Sequence, residues 1–454
     1  SDYALDIAGD ISARNVELLS NAQPGWYDAT GGKITQSGGI ITADRLIARA
    51  RGDVTLDRSN RIAALGWTVS TTGNVSITSA DALELTDAVT ANGEVVLDAA
   101  SITQSGGLIQ AANLRARATG MLSLDAVNQI AATGTVALDA GADIAFRNDG
   151  GFTVGMIDTP GAATLTSLNG SIGQAASTRI GAGRLTVSAA NGGITLNEAN
   201  LVDTLGGLAA WTDIGFRNTG DLQLDGDIAV VGHDVMLRSN TGAISQISGT
   251  ITAMGLGLEA NGAITLGGAN NVTNLHSAIA GGDILYRNAG ALMLWGDVTA
   301  AGHDVTLSTD SGSLLQMLFT SGIITANRLS ASAGGALNLN HANRVNELGN
   351  YAAGSGLAGF TNDGSLALTG DVSGDELALT ALSGGISQVS GIIATGSVLA
   401  TASESIELGG ANLISGAGPV RLNSSNGNVT FRALGDFTLE FGSGWGTFAD
   451  TSHN

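Results

Sequence analysis

Residues 34–43 read Ile-Thr-Gln-Ser-Gly-Gly-Ile-Ile-Thr-Ala, and this phrase returns along the chain about every 70 residues. Its first six residues recur unchanged from Ile102 to Gly107. Shorter copies begin at Ile172, Ile244, Leu314 and Ile386, so that successive starts lie 68–72 residues apart. A period that continues through 454 residues indicates a solenoid or another repeat array, in which each unit packs on its neighbours.

A shorter period lies inside each repeat. Between Asp213 and Asp283, apolar-x-apolar runs recur about every seven residues, and each run is followed by Gly, Asn, Asp or Ser. Such alternation predicts short strands, and the small residues predict turns. We therefore predict an all-β protein that folds as a right-handed parallel β-helix of about 20 coils. Three short strands would make one coil of roughly 23 residues, and three coils would make one repeat of about 70.

The alternation also predicts which side chains face the interior. Because no long helical stripe is present, we expect helix in less than roughly a tenth of the chain. Residues 1–454 would form one solenoid, with a lateral loop at residues 20–31 and a cap or assembly segment at residues 437–454. The leucines expected to point inward are Leu56, Leu85, Leu97, Leu124, Leu138, Leu224, Leu237, Leu266, Leu307, Leu339 and Leu408.

The composition restricts the chemistry that the chain can perform. It has no cysteine, which excludes disulfides and thiolate catalysis. Its formal net charge of -21 disfavours nucleic acid as a partner, because phosphate binding needs a basic surface. The acidity is expected to keep a long sheet surface soluble, with an acidic cation-binding coat as the alternative. The sequence shows no zincin, P-loop or nucleophile-elbow motif, so we expect no cofactor, no metal site and no catalytic residue.

Three phrases connect the chain with a known group of proteins. They are Ile34–Ala43, Gly52–Leu56 with the sequence Gly-Asp-Val-Thr-Leu, and Ala301–Leu307 with the sequence Ala-Gly-His-Asp-Val-Thr-Leu. These phrases resemble the central repeats of filamentous-haemagglutinin-type exoproteins, which are large bacterial surface proteins of the two-partner secretion class. The resemblance covers nearly all of Gly32–Phe441. It implies a β-helical shaft or stalk, an extracellular location on the surface of a Gram-negative cell, and an outer-membrane transporter as export partner.

One feature of that group is missing from the sequence. Such exoproteins carry an N-terminal secretion domain with an Asn-Pro-Asn-type motif. The only prolines here are Pro24, Pro160 and Pro419, and none of them stands in such a motif. Either the secretion domain lies upstream of this segment, or export follows another route such as that of an autotransporter.

Two short segments are candidates for contact with a receptor. Arg51, Gly52 and Asp53 spell the tripeptide that integrins recognise, but the equivalent place in the next repeat reads Thr-Gly-Met, which favours an ordinary turn. Near residues 21–27 the repeat pattern is interrupted, and Trp26 and Tyr27 give this stretch two aromatic rings. It would act either as a contact patch or as a cover over the first coils. The expected partner is a protein or glycan on a host cell or a neighbouring cell.

The ends of a β-helix expose unpaired strand edges and an apolar cross-section. The C-terminal segment concentrates aromatic rings in a chain that is otherwise poor in them, namely Phe437, Phe441, Trp445 and Phe448. This segment would cap the last coil, or the ends would stack between molecules, or the chain would be cut from a longer rod. Stacking would give end-to-end self-association and make the chain a subunit of a self-assembling extracellular filament.

A carbohydrate-active β-helix enzyme, either a polysaccharide lyase or a glycosidase, is the alternative from a different class. Such enzymes need carboxylates clustered on adjacent coils, whereas the acids here recur with the repeat and flank turns. The His-Asp pairs at His233 and His303 are interpreted as turns, because three coils would hold them ~14 Å apart. The arginines between Arg45 and Arg61 would bind an acidic glycan or offset neighbouring acids. We therefore predict the structural shaft of a secreted bacterial surface adhesin, which is not an enzyme.

Overall fold

The structure is a computed structural model that describes residues 4–20, 32–317, 322–415, 418–434 and 437–440. All regular elements in these ranges are β-strands, and they stack in parallel as a β-solenoid of about 19 turns with about 21 residues per turn. The predicted all-β solenoid and its approximate number of coils are therefore confirmed. The predicted coil of 23 residues is slightly too long, and the right-handed sense of the coil stays a prediction.

The chain divides into two compact units, Ser1–Val230 and Val231–Asn454, and each is described by itself. The strands of the first unit are β1 (Ala4–Ile7), β2 (Ile11–Ser20), β3 (Lys33–Gln36), β4 (Ile41–Ala50), β5 (Val54–Ser70), β6 (Val75–Ser79), β7 (Leu83–Leu85), β8 (Val89–Ala91), β9 (Glu94–Ala99), β10 (Ile102–Gln104), β11 (Ile109–Ala111), β12 (Asn113–Ala118), β13 (Leu122–Ile130), β14 (Thr135–Ala140), β15 (Ile144–Gln174), β16 (Ile180–Ala189), β17 (Ile194–Ala210), β18 (Ile214–Asn218), β19 (Leu222–Asp225) and β20 (Ile228–Ala229).

The second unit continues the same kind of strand. Its strands are β21 (Asp234–Ser239), β22 (Ile244–Ser248), β23 (Ile251–Ala260), β24 (Ile264–Ala280), β25 (Ile284–Asn288), β26 (Leu292–Leu294), β27 (Val298–Thr309), β28 (Leu314–Gln316), β29 (Ile324–Ala333), β30 (Leu337–Ala353), β31 (Leu357–Asn362), β32 (Leu366–Leu368), β33 (Val372–Ala381), β34 (Ile386–Gln388), β35 (Ile393–Ala402), β36 (Ile406–Ile414), β37 (Pro419–Ser424), β38 (Val429–Leu434) and β39 (Thr438–Leu439).

Aliphatic side chains on successive turns lie directly above one another. In the first unit the parallel register places Ile34 beside Val54, Val54 beside Val75, and Val75 beside Val95. All four side chains are fully buried. Removing one such side chain from water contributes roughly 1.5–3 kcal/mol, so these stacked rows form the core. All the leucines that the alternation assigned to the interior are at most 1% exposed, and that prediction is confirmed.

The sequence repeat and the structural turn differ in length. One repeat of about 70 residues spans roughly three and a third turns of about 21, so equivalent residues of successive repeats lie on different faces. In the second unit Ile244 stacks beneath Ile264 and Ile284, whereas its counterpart Leu314 pairs with Leu292. The prediction that three whole coils make one repeat is therefore wrong. Whole turns would return each copy of the phrase to the same stack.

The last glycine of the phrase is required by the backbone conformation. Gly39, Gly107, Gly249 and Gly391 all have φ between 63° and 74°, the left-handed region that favours glycine. In the third repeat this place belongs to Ser177, which is the one non-glycine with positive φ among the described residues. At Gly107 an added Cβ would also lie 2.1 Å from the carbonyl carbon of Asp87 on the turn below. Glycine therefore occupies the sixth place of the phrase for both conformational and steric reasons.

Candidate functional site

Each repeat encloses a hydrogen-bonded pair of side-chain amides. The glutamine of the phrase donates from Nε2 to the Oδ1 atom of an asparagine one turn later, over 2.7–3.0 Å. The asparagines are fully buried. The six pairs are Gln36–Asn60, Gln104–Asn128, Gln174–Asn200, Gln246–Asn270, Gln316–Asn343 and Gln388–Asn412.

The asparagine of each pair also connects the backbones of neighbouring turns. Asn270 illustrates the arrangement, because its Oδ1 atom accepts the backbone N–H of Ile251 at 2.8 Å and its Nδ2 atom donates to the carbonyl oxygen of Arg287 at 3.1 Å. Asn270 Nδ2 also donates to Gln246 Oε1 at 3.2 Å. Buried polar groups must find partners, and these asparagines satisfy the groups left open where the strand ladder bulges. Their role is therefore structural.

A second buried asparagine follows in four of the repeats. Asn148, Asn218, Asn288 and Asn362 each accept a backbone N–H from the preceding turn over 2.8–3.0 Å. In the first repeat Ser79 makes the equivalent contact, with its Oγ atom accepting the N–H of Ile62 at 3.1 Å. The role of the phrase glutamine was not predicted from the sequence. The signal was present, since glutamine occupies the third place of the phrase in all six copies.

The Arg51-Gly52-Asp53 tripeptide lies in the turn before β5. The Oδ1 atom of Asp53 accepts the backbone N–H of Asn74 at 2.8 Å, and the N–H of Gly52 donates to the carbonyl oxygen of Gly32 at 2.6 Å. One carboxylate oxygen of Asp53 therefore joins this turn to the next one. Asp143, Asp297 and Asp371 accept a backbone N–H in the same way on other turns. Adhesion through this tripeptide stays a prediction.

The other predicted contact residues are only partly covered by the structure. Trp26, Tyr27, Phe441, Trp445 and Phe448 lie outside the described residues. Phe437 is half-buried, and its ring meets that of Phe431 edge to face with centroids 5.3 Å apart. Such an edge-to-face pair contributes about 0.5–1.5 kcal/mol beyond its buried area, so Phe437 packs on the neighbouring turn.

The two His-Asp turns lie in different stacks of the second unit. The carbonyl oxygen of His233 accepts the N–H of Met254, whereas His303 Nδ1 lies 3.5 Å from Asp283 Oδ1. His233 and His303 therefore do not lie ~14 Å apart along one face, as three whole coils would have placed them. Among the described residues, no three His, Asp or Glu side chains are placed to hold one metal ion. These same residues form no helix that is long and apolar enough to cross a membrane.

The arginine cluster of the first repeat is largely engaged with neighbouring groups. Arg49 donates from Nη2 to Glu17 Oε1 at 2.8 Å, Arg45 lies 3.7 Å from Asp87, and Arg58 donates to the carbonyl oxygen of Ser37 at 2.8 Å. Exposed ion pairs of this kind contribute at most about 1 kcal/mol each. These contacts agree with the interpretation that the arginines offset neighbouring acids.

Contacts between turns and burial shift the pKa of a few side chains. The hydrogen bond and charge of Asp310 raise the pKa of Arg287, and the hydrogen bond from the Ser37 hydroxyl lowers the pKa of the Asp6 carboxyl. Burial raises the pKa of Tyr286 and that of Tyr351. Both tyrosines are core residues, so these shifts reflect packing and not an exposed reactive group.

Two exposed aromatic contacts were not predicted from the sequence. In the first unit Trp67 is 46% exposed, and the guanidinium of Arg49 lies 4.7 Å from the centre of its ring. In the second unit Trp295 is 40% exposed, with its ring centroid 5.7 Å from that of His276. The partners are about twenty residues apart in sequence, so only the register of the turns brings them together.

Two stretches of the chain, residues 141–206 and 212–278, match the model of a family described as repeats of unknown function (DUF5649). The two matches begin 71 residues apart, which is one period of the phrase. The chain is a β-solenoid repeat protein. No curated protein and no solved structure matches it.

Proposed function

We propose that this protein is the structural shaft of a secreted bacterial surface adhesin. The observation that carries the proposal is the buried Gln–Asn amide pair, which recurs in all six repeats. The residues that recur in every copy of the repeat are therefore the ones whose hydrogen bonds connect neighbouring turns. A catalytic β-helix would instead be expected to keep an irregular cluster of polar side chains on adjacent turns.

The resemblance to filamentous-haemagglutinin-type exoproteins supports the remaining parts of the proposal. The shaft would be displayed outside a Gram-negative cell after passage through an outer-membrane transporter. It would present a contact surface to a protein or glycan on a host cell or a neighbouring cell. The net charge of -21 supports a surface that repels its own copies and nucleic acid.

Deletion of one complete repeat tests the shaft function. Removing residues 244–313 joins residue 243 to Leu314, the start of the next copy of the phrase. The repeat pattern therefore continues without interruption across the junction. We expect the shortened chain to fold with unchanged circular dichroism per residue, because solenoid stability is local. Its length should fall by ~16 Å, the rise of about three and a third turns. Bacteria that display the shortened chain should still adhere, at a shorter distance from the target surface.

A frame-breaking deletion provides the matched control. Removing residues 244–303 ends within a repeat and joins unlike positions of the phrase, so it should disturb folding although it removes fewer residues. Equal disruption by both deletions would contradict the modular shaft. Turnover of pectin, alginate or another acidic glycan by the purified protein would contradict the proposal that the chain is not an enzyme.

A further inference from the structure

Five Asn-Gly dipeptides occur in the chain, and this dipeptide is the one most prone to spontaneous deamidation. They are Asn92-Gly93, Asn169-Gly170, Asn191-Gly192, Asn261-Gly262 and Asn426-Gly427. In the reaction the backbone nitrogen of glycine attacks the side-chain Cγ atom of asparagine. The C–N bond of the side-chain amide breaks, ammonia leaves, and a succinimide remains. Water then opens the succinimide to aspartate or to isoaspartate, which carries one extra backbone methylene.

Hydrogen bonding restrains this reaction in the folded state. The attacking nitrogen must lose its proton and approach Cγ, so a glycine N–H held by a carbonyl oxygen must first be released. A side-chain amide that is held by its own hydrogen bonds must also be freed before it can rotate. Each intact backbone bond contributes about 1 kcal/mol, which would slow the attack by roughly fivefold.

Two of the five glycines are held by backbone hydrogen bonds between successive turns of the solenoid. The N–H of Gly93 donates to the carbonyl oxygen of Gly73 at 3.0 Å, and that of Gly262 donates to the carbonyl oxygen of Gly242 at 2.8 Å. Each bond must break before the glycine nitrogen can attack the preceding side chain.

Two further sites are restrained through the asparagine side chain. Asn191 donates from Nδ2 to the carbonyl oxygen of Leu168 at 3.0 Å and to Asn169 Oδ1 at 3.1 Å. Asn169 donates from Nδ2 to Asp149 Oδ1 at 2.9 Å. The two amides therefore form a chain across three turns, and neither is free to turn toward its glycine.

The remaining site, Asn426-Gly427, lies in the turn between β37 and β38. Among the described residues, neither the side-chain amide of Asn426 nor the backbone N–H of Gly427 has a hydrogen-bond partner. The turn is fixed on both sides of them, where Ser425 N–H donates to the carbonyl oxygen of Ala402 at 3.0 Å and Asn428 N–H donates to Ser405 Oγ at 3.1 Å. Asn426 is exposed to water, which is the second reactant.

Glycine is also required at position 427 by packing. A Cβ atom there would lie 2.3 Å from the backbone nitrogen of Ser405 on the preceding turn. The fold therefore retains the residue that hinders nitrogen attack least. From these observations we infer that Asn426 is a spontaneous deamidation site of the folded protein, the fastest of the five, and that ageing converts it to isoaspartate and aspartate. The inference is independent of the proposed function.

Peptide mapping of the intact, folded chain tests this inference. Tryptic cleavage at arginine places the five dipeptides in five different peptides, and Asn426 falls in the short peptide 422–432. After incubation at mildly alkaline pH, fragment-ion spectra should locate the gained carboxylate at Asn426 and not at Asn423 or Asn428. The rate at Asn426 should exceed the rates at Asn92 and Asn261 by roughly fivefold. Methylation by a protein isoaspartate methyltransferase should detect the isoaspartate product.

Incubation in concentrated denaturant is the matched control, because it removes the fold and leaves the dipeptides unchanged. There the five sites should react at similar rates, and the difference between Asn426 and the others should disappear. An Asn426→Ser variant should lose the early methyltransferase signal. The inference would be overturned if Asn426 reacted no faster than Asn92 in the folded chain, or if the same ranking persisted in denaturant.

Discussion

Replacing Asn270 by alanine tests whether the buried amide pair holds adjacent turns together. Asn270 is fully buried in the second unit, and its side chain is hydrogen-bonded to four neighbours: Gln246, Ile251, Gly268 and Arg287. Alanine would leave the N–H of Ile251 and the carbonyl oxygen of Arg287 without this partner, and it would remove the two hydrogen bonds between Asn270 and the Gln246 amide. Each buried group left unsatisfied costs about 1–3 kcal/mol, so we expect a total loss of about 3–5 kcal/mol in local stability.

Asn271 provides a control of the same residue type at the adjacent position. Its side chain is exposed, and Asn271→Ala should change stability by less than about 0.5 kcal/mol. Urea unfolding followed by circular dichroism would give the two midpoints. Hydrogen exchange would locate the effect, because the amide of Ile251 should lose protection in Asn270→Ala and keep it in Asn271→Ala.

A double-mutant cycle with Gln246→Ala measures the pair itself. The two amides share two direct hydrogen bonds, so the combined loss should be smaller than the sum of the single losses by about 0.5–3 kcal/mol. The reasoning would be refuted if Asn270→Ala destabilised the protein no more than Asn271→Ala. Strict additivity would show that each amide acts through the backbone alone.

The remaining predictions concern two backbone positions, one surface motif and one titration. Ser177→Gly should relieve left-handed strain and raise stability by up to about 1 kcal/mol, whereas Gly107→Ala should lower stability and shift the thermal midpoint downward, since it adds both strain and a clash. Asp53→Glu should leave cell binding unchanged with the fold intact by circular dichroism; a large loss of binding would show that the tripeptide is an adhesive site. The hydrogen bond from Ser37 lowers the pKa of Asp6 in the folded state. The bond therefore stabilises the β1–β3 pairing at pH values above 3.8, the ordinary pKa of an aspartate, and this stabilisation is lost as the pH falls through the folded pKa. Ser37→Ala should shift this pKa back toward its ordinary value, as measured by carbon-detected NMR titration. An unchanged pKa would refute the assignment.

The sequence predicted the core better than it predicted the length of the turn. Alternation depends on which face of a strand a residue occupies, and Leu266 and Leu339 are buried as that pattern requires. Turn length depends on bulges, such as the register shift between Leu56 and Asn60, where extra residues enter without changing the inward pattern. The estimate of three coils per repeat failed for this reason.

The surface contacts were the least accessible to sequence reasoning. Arg49 meets Trp67, and His276 meets Trp295, because parallel register places residues of neighbouring turns side by side. A small error in turn length would assign each of these side chains to the wrong neighbour. By contrast, the six Gln–Asn pairs follow the repeat itself, so an alignment of the six copies would have identified them.

Small-angle X-ray scattering of the purified full chain tests the shaft proposal most directly. The proposed shaft function requires the turns to continue as one rod, and about 19 turns with a rise of ~4.8 Å each would then give a maximum dimension of ~90 Å and a narrow cross-section. A compact globular chain of 454 residues would have a radius of gyration of about 22 Å and a maximum dimension near about 60 Å. The account predicts the elongated profile at low protein concentration. A compact profile with a maximum dimension of about 60 Å would contradict the shaft proposal.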